Sequence, residues 1–347
     1  MTMRNSSTTT PAVNHRGTPY TKYLILFLAL SIGSVWALAI FFLANYDLAV
    51  SVVGELKLTN PVVIIILHSP AIAALLIFAL YDGWRGITNF FRTLVPRRTD
   101  LRWLAALMAI MVAYIFAVRY VGMLFGIPMP PEPLAPVDMV LTFLSMFIME
   151  IGMLAITVGW YGFFLPFMHR VTKSHIWSGI ATGVGIGVFV APGNLFSSFE
   201  LATAWPIYVA QLSVLSIGMS MLISKGKGNV LFFLLPFWVS ASGSWLDLYY
   251  FNTPTQLVQL GLFSALVMLL RFVLKRQSGG QLDAPFSFPE YLEHEYTVAK
   301  RAPIAGKGDR SREHAARTGV LTGVSPVSSV SRSAEPEPDE SVREGIV

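Results

Sequence analysis

The chain has 347 residues, of which 54% are hydrophobic and only 13% charged. Soluble domains carry about 25% charged residues, so this composition excludes an ordinary water-soluble protein and makes lipid the natural solvent. The absence of cysteine excludes disulfides, thiolate nucleophiles, iron–sulfur clusters and Cys-based zinc sites, and a net charge of +5 is too small to argue for nucleic acid.

In chain order, residues 1–21 form a polar arm that is expected to be disordered and cytoplasmic. A span needs about 20 mainly apolar residues to cross about 30 Å of hydrocarbon. Eight windows meet or approach that length: Lys22–Asn45, Pro61–Tyr81, Trp103–Leu124, Val137–Val158, Ile176–Val190, Pro206–Ile223, Val230–Leu248 and Thr255–Leu274. The first is longer than a signal-peptide apolar region of about 7–15 residues and reads as a retained span. The predicted fold class is therefore all-α: a polytopic transmembrane helical bundle of about eight spans. Residues 22–136 hold the first three helices and residues 137–274 the remaining five.

Charge supports that count. Basic residues mark Arg4, Arg16 and Lys22 before the first window and Arg85, Arg92, Arg97, Arg98 and Arg102 before the third. They recur at Arg170 and Lys173, at Lys225 and Lys227, and at Lys275 and Arg276. The intervening loops carry only Lys57. Alternation of this kind is what the preference of cytoplasmic loops for Lys and Arg produces. It predicts a multi-pass protein of the cell membrane with both termini cytoplasmic. Residues 275–347 form a largely disordered cytoplasmic tail by composition, since the run Ser325–Val342 is rich in Ser, Pro and Glu and cannot bury enough apolar surface to fold. Ser325, Ser328, Ser329 and Ser331 are candidate phosphorylation positions within it.

The segment Ile156–Phe196 carries a recognisable pattern. Gly159, Trp160 and Gly162 are followed by Phe163, Leu165 and Pro166, and Pro192 follows on the next span. This resembles the CPBP family of intramembrane proteases, the CAAX-protease and bacteriocin-processing group also called Abi. Its members show two glutamates, a Gly-Trp-Arg-Gly run and a Leu-Pro end, then a Trp-His-x-Pro element and a later histidine. The resemblance implies a CPBP-like core over the fourth to eighth helices, with Gly159, Trp160, Tyr161, Gly162, Pro166 and Pro192 as its framework. The departures fall on the chemistry. Ile156 and Thr157 replace the glutamates, Tyr161 the arginine, Val190 the first histidine, and Phe237 or Pro236 the second. Ile, Thr, Val and Phe can neither take a proton from water nor hold a metal, so no catalytic residue, cofactor or metal is expected.

Three ionisable residues within or beside spans are candidate functional positions, because charge in a bilayer is costly. These are Glu150, Arg119 and His68. By helical rise, Glu150 and Arg119 differ in depth by about 14 Å, so Arg119 is expected instead to snorkel outward or to meet His68 or Asp247. His169 and His175 are assigned to a basic loop. Gly179, Gly183 and Gly187 recur every four residues and predict a close helix contact. Ser240 to Ser244 forms a second small-residue face. Gly152, Gly159 and Gly162 predict a helix break, with Phe163–Arg170 as a short interfacial segment.

The function this reading supports is a catalytically inactive scaffold or regulator. It would bind another membrane or envelope protein within the lipid bilayer, without nucleic acid. The alternatives are an active endopeptidase with a divergent site, resting on Glu150, and a small-solute or lipid transporter.

Overall fold

The computed structural model describes residues 20–55, 60–149, 151–196 and 204–277. The N-terminal arm, Lys57, Glu150 and the tail beyond Gln277 lie outside the described residues. So do the expectations of disorder and phosphorylation placed on the arm and tail.

All regular structure among the described residues is helical. The order is α1 (Tyr20–Leu28), a π-helical turn at Ala29–Gly33, α2 (Ser34–Ala44), α3 (Tyr46–Val53), α4 (Pro61–Leu67), α5 (Ser69–Thr93) and α6 (Arg98–Leu124). There follow α7 (Pro136–Met149), α8 (Ile151–Ala155), a π-helix at Ile156–Phe164, α9 (Leu165–Thr172), α10 (His175–Phe196), α11 (Trp205–Lys225), α12 (Leu231–Ser242) and α13 (Thr253–Gln277). Among these residues six helices are long and apolar enough to cross a membrane: Thr21–Ala44, Ser69–Thr93, Arg98–Leu124, His175–Gly193, Trp205–Lys225 and Thr253–Gln277. They make the chain a multi-pass membrane protein.

Several elements depart from the windows read in the sequence. The second window is divided at His68, and its long helix instead runs from Ser69 to Thr93. That helix kinks where Asp82 and Gly83 leave helical geometry, Gly83 at φ +57°, a region open chiefly to glycine. Beyond the kink the chain folds back, so Phe90 stacks on Phe78 with ring centroids 5.2 Å apart. The arginines expected in a loop are consequently carried largely on helix ends, with only Leu94–Arg97 between α5 and α6.

The helix break predicted at Gly152–Gly162 is replaced by a π-helix that continues directly into α9. The glycines serve packing there: a side chain on Gly159 would strike the backbone of Pro70, and one on Gly162 the ring of Phe90. The fifth window, the shortest in the sequence, becomes the 22-residue α10, with Pro192 inside it. The seventh contracts to the 12-residue α12. Ser240 and Ser242 turn their hydroxyls back onto the carbonyls of Phe237 and Val239, a local competition that weakens helices. The chain then turns through Asp247 at φ +53°. Part of the expected small-residue face therefore lies beyond the helix end.

The core is aromatic and lies where α1, α5, the π-helix, α10 and α12 converge. Phe27 meets Trp160 and Phe163 at 5.3 and 5.1 Å between ring centroids, and Trp160 meets Phe164 at 5.0 Å. Such pairs add about 0.5–1.5 kcal/mol each beyond the area they bury. Burial counts for less here than packing geometry, because lipid tails are as apolar as the side chains they would replace.

Candidate functional site

The motif block of the sequence forms the centre of that core. Trp160 and Tyr161 are fully buried. Gly185 of α10 lies flat against the Trp160 indole, where a Cβ would meet the ring. Tyr161 stacks on Phe233 of α12 at 3.7 Å between centroids with an interplanar angle of 18°, and its hydroxyl shares a hydrogen bond of 2.8 Å with Ser216 of α11. Phe233 in turn stacks on Phe237 at 4.9 Å.

The positions that would carry a protease site are occupied accordingly. Thr157 is 2% exposed, and its hydroxyl donates to the Met153 carbonyl at 2.7 Å, within its own helix. Val190 follows Phe189, whose ring sits 6.1 Å from that of Trp160. Ile156, Val190 and Phe237 are half-buried, whereas Pro166 and Pro192 are buried. Ile156, Val190 and Phe237 carry no acid, base or nucleophile, and the Thr157 hydroxyl is engaged with the Met153 carbonyl. Among the described residues no group of three or more His, Asp or Glu could hold a metal ion. Glu150 lies outside the described residues.

Pro192 has a consequence for α10. Its ring nitrogen carries no hydrogen, so the carbonyl of Val188, four residues earlier, loses its helical donor. Trp36 of α2 donates its indole N–H to that carbonyl at 3.0 Å. The indole of Trp205 donates to the neighbouring Gly187 carbonyl at 3.2 Å.

The glycine row faces α11. A Cβ on Gly179 would meet the backbone of Ile217, one on Gly183 the backbone of Ser213, and one on Gly187 the side chain of Val209. Each step of four along α10 matches a step of four back along α11, the geometry of two antiparallel helices in backbone contact. His169 and His175, assigned to a loop by sequence, are instead buried. His169 sits in α9 and His175 opens α10, with ring centroids 4.3 Å apart, and Nδ1 of His175 lies 2.8 Å from the Ser220 hydroxyl.

Arg119 and His68 do not meet. His68 caps α4 with Nδ1 2.7 Å from the Ile64 carbonyl. Arg119 is 9% exposed and donates to the carbonyls of Leu248 and Pro130 at 3.0 Å each, and to that of Asp247 at 3.4 Å. It therefore reaches Asp247 through the main chain. The guanidinium serves as a clamp for the two irregular segments that flank α12 and follow α6.

Behind that clamp lies a cavity of about 570 Å³, bounded by α6, α11, α12, the turn after it and α13. Its polar wall is built from Gln211, Gln256, Gln259, Ser240, Tyr114 and Tyr208, and its apolar wall includes Phe237, Leu215 and Phe263. Gln211 donates from Nε2 to Oε1 of Gln259 at 3.1 Å. Gln256 is 1% exposed, and neither its Oε1 nor its Nε2 has a hydrogen-bond partner; the same holds for Oε1 of Gln211. Leaving a buried polar group unpaired costs about 1–3 kcal/mol, so a fold that places two carboxamides this way is poised for a ligand or water to complete them.

The sequence held a signal for this cavity that charge-based reading passes over. Gln256 and Gln259 are three apart near the start of the last window, and Gln211 lies at a similar position in the sixth. Residues three apart share a helix face, and uncharged amides inside spans are costly in the same way as charges, to a smaller degree.

Fold and site together define a multi-pass α-helical membrane protein with an aromatic core and a polar cavity bounded by four of its helices. No family model and no curated protein matches the chain.

Proposed function

We propose that this protein is a non-catalytic membrane-embedded binding protein built on a CPBP-like framework. It holds another component of the membrane and does not cut it. The observation that carries this reading is the Tyr161–Phe233–Phe237 stack. Where a protease of that family would need a water, a general base and an oxyanion donor, this chain has apolar contacts and a hydroxyl engaged with its own helix.

On this reading the chain crosses the plasma membrane eight times with both ends in the cytoplasm. The shorter apolar helices Pro136–Met146 and Leu231–Ser242 take part in the two further crossings, each completed by the segment that follows it. The partner is another membrane protein, recognised by helix packing in the bilayer. Crosslinking in intact membranes followed by affinity purification tests this. A specific membrane protein should be enriched over a control polytopic protein, and equal recovery with both sinks the reading.

A second reading, transport of a small solute or lipid, is favoured by the amide-lined cavity. Solute or lipid flux in proteoliposomes distinguishes it from a scaffold, which should show none above empty vesicles.

A further inference from the structure

The polar cavity has a neighbour across Phe263. A second, apolar crevice of about 180 Å³ lies between α6, α11 and α13 and shares Leu215 and Phe263 with it. Its wall continues through Met111, Gly218, Leu222, Leu266 and Val273. At Gly218 α11 and α13 approach closely, since a Cβ there would meet a methyl of Val267. Between Phe263 and Val273, α13 rises about 15 Å. Of these two adjoining spaces one is amide-lined and the other is apolar.

We propose that the two together bind a single amphipathic lipid whose head is uncharged and carries an amide or hydroxyl, with its acyl chain in the crevice. The head group is argued from Gln256. Its carboxamide is both donor and acceptor, both ends lack a partner and both are shielded from bulk water. An amide in the ligand would satisfy the two ends reciprocally once the Gln256 side chain turns into the cavity. Gln211 adds a further unpaired acceptor, and its own Nε2 is anchored on Gln259.

Charge selects against ordinary phospholipids. Neither space has a Lys or Arg in its wall, and the ionisable acid among the lining residues is Asp247, at the exposed turn. A phosphate or carboxylate head would be desolvated beside a carboxylate, and the neighbouring Arg119 already donates to three main-chain carbonyls. A neutral head meets no such penalty. This inference goes beyond the scaffold reading and does not require it, because the site needs no protein partner.

The test uses the purified full chain in detergent with palmitoyl ethanolamide as probe. Trp245, at the cavity rim, reports binding by fluorescence, with Trp245→Phe as the control for the remaining tryptophans. Saturable binding is expected. Methyl palmitate should bind at least tenfold more weakly, because it lacks the donor. Palmitate and phosphatidylglycerol should fail to displace the probe at equal concentration. Gln256→Leu should raise Kd about tenfold while leaving the unliganded melting temperature unchanged or higher, since it removes an unpaired amide. Equal affinity for the amide and the methyl ester overturns the proposal without reference to any variant. Displacement by phosphatidylglycerol overturns it too, reducing the crevice to a furrow filled by an adventitious lipid only. Displacement by a blocked dipeptide amide without an acyl chain assigns the cavity to peptide, and no binding at all leaves it a water-filled vestibule; both overturn it. The assay contains no partner protein, so its failure is independent of failure of the scaffold reading.

Discussion

The indole of Trp36 donates to the carbonyl of Val188 at 3.0 Å, and Val188 is the residue whose own helical donor Pro192 removes. A proline inside a span is tolerated when a neighbouring helix re-satisfies the freed carbonyl. Here α2 supplies that donor to α10, joining the first window of the chain to the proline of the motif block.

Trp36→Phe should destabilise the protein by about 1 kcal/mol, the loss of one hydrogen bond that leaves a half-buried carbonyl unpaired. In a Pro192→Ala background the helical N–H returns and the same substitution should cost less. A double-mutant cycle on unfolding in detergent measures the difference. Equal costs in both backgrounds would mean that the bond is incidental.

Gly183→Val should separate α10 from α11, because its side chain would enter the backbone of Ser213. Overpacking of this kind costs about 1–3 kcal/mol. Gly261→Ala is the matched control: it meets nothing within 4 Å and should leave the melting temperature unchanged or raise it, since alanine favours helix by about 1 kcal/mol. If both substitutions lower the melting temperature alike, the glycine row is not a packing seam.

Arg119→Leu should release the segments held by its guanidinium. Hydrogen bonds to charged donors contribute about 1.5–3 kcal/mol, and three carbonyls lose theirs together. Arg119→Lys should recover only part of the loss, since an ammonium cannot span the forked geometry. Hydrogen exchange at residues 243–249 should rise in the leucine variant. Unchanged exchange there would show that the turn holds itself.

Tyr161→Phe should cost about 1 kcal/mol through Ser216, which would lose its buried partner. It should leave partner recovery in crosslinked membranes unchanged. A change in recovery at constant stability would make the Tyr161 hydroxyl part of a binding surface.

Glu150→Gln decides the enzymatic alternative. Membrane-peptide fragments from cells carrying wild type, Glu150→Gln and no protein should be identical. A fragment present only with wild type would restore the protease reading.

The sequence alone determined the solvent of this protein. A hydrophobic fraction of 54% with 13% charge admits little but lipid-spanning helices, because backbone groups in hydrocarbon must pair within their own segment. It also marked Gly179, Gly183 and Gly187 as one helix face, since that spacing follows from the helical period alone. It misplaced what depends on neighbours. The glycines at 159 and 162 read as a break, yet Pro70 and Phe90 fill the space they leave and the chain continues as a π-helix. His169 and His175 read as loop residues because basic residues surround them, yet packing of α9 and α10 buries both. Only the tertiary structure decided where polar atoms lack partners. Gln211 and Gln256 are 45 residues apart in the chain, and an unpaired amide is a property of every helix around it. The polar cavity beside Arg119 thus belongs to the packing, whereas the lipid-facing exterior belongs to the composition.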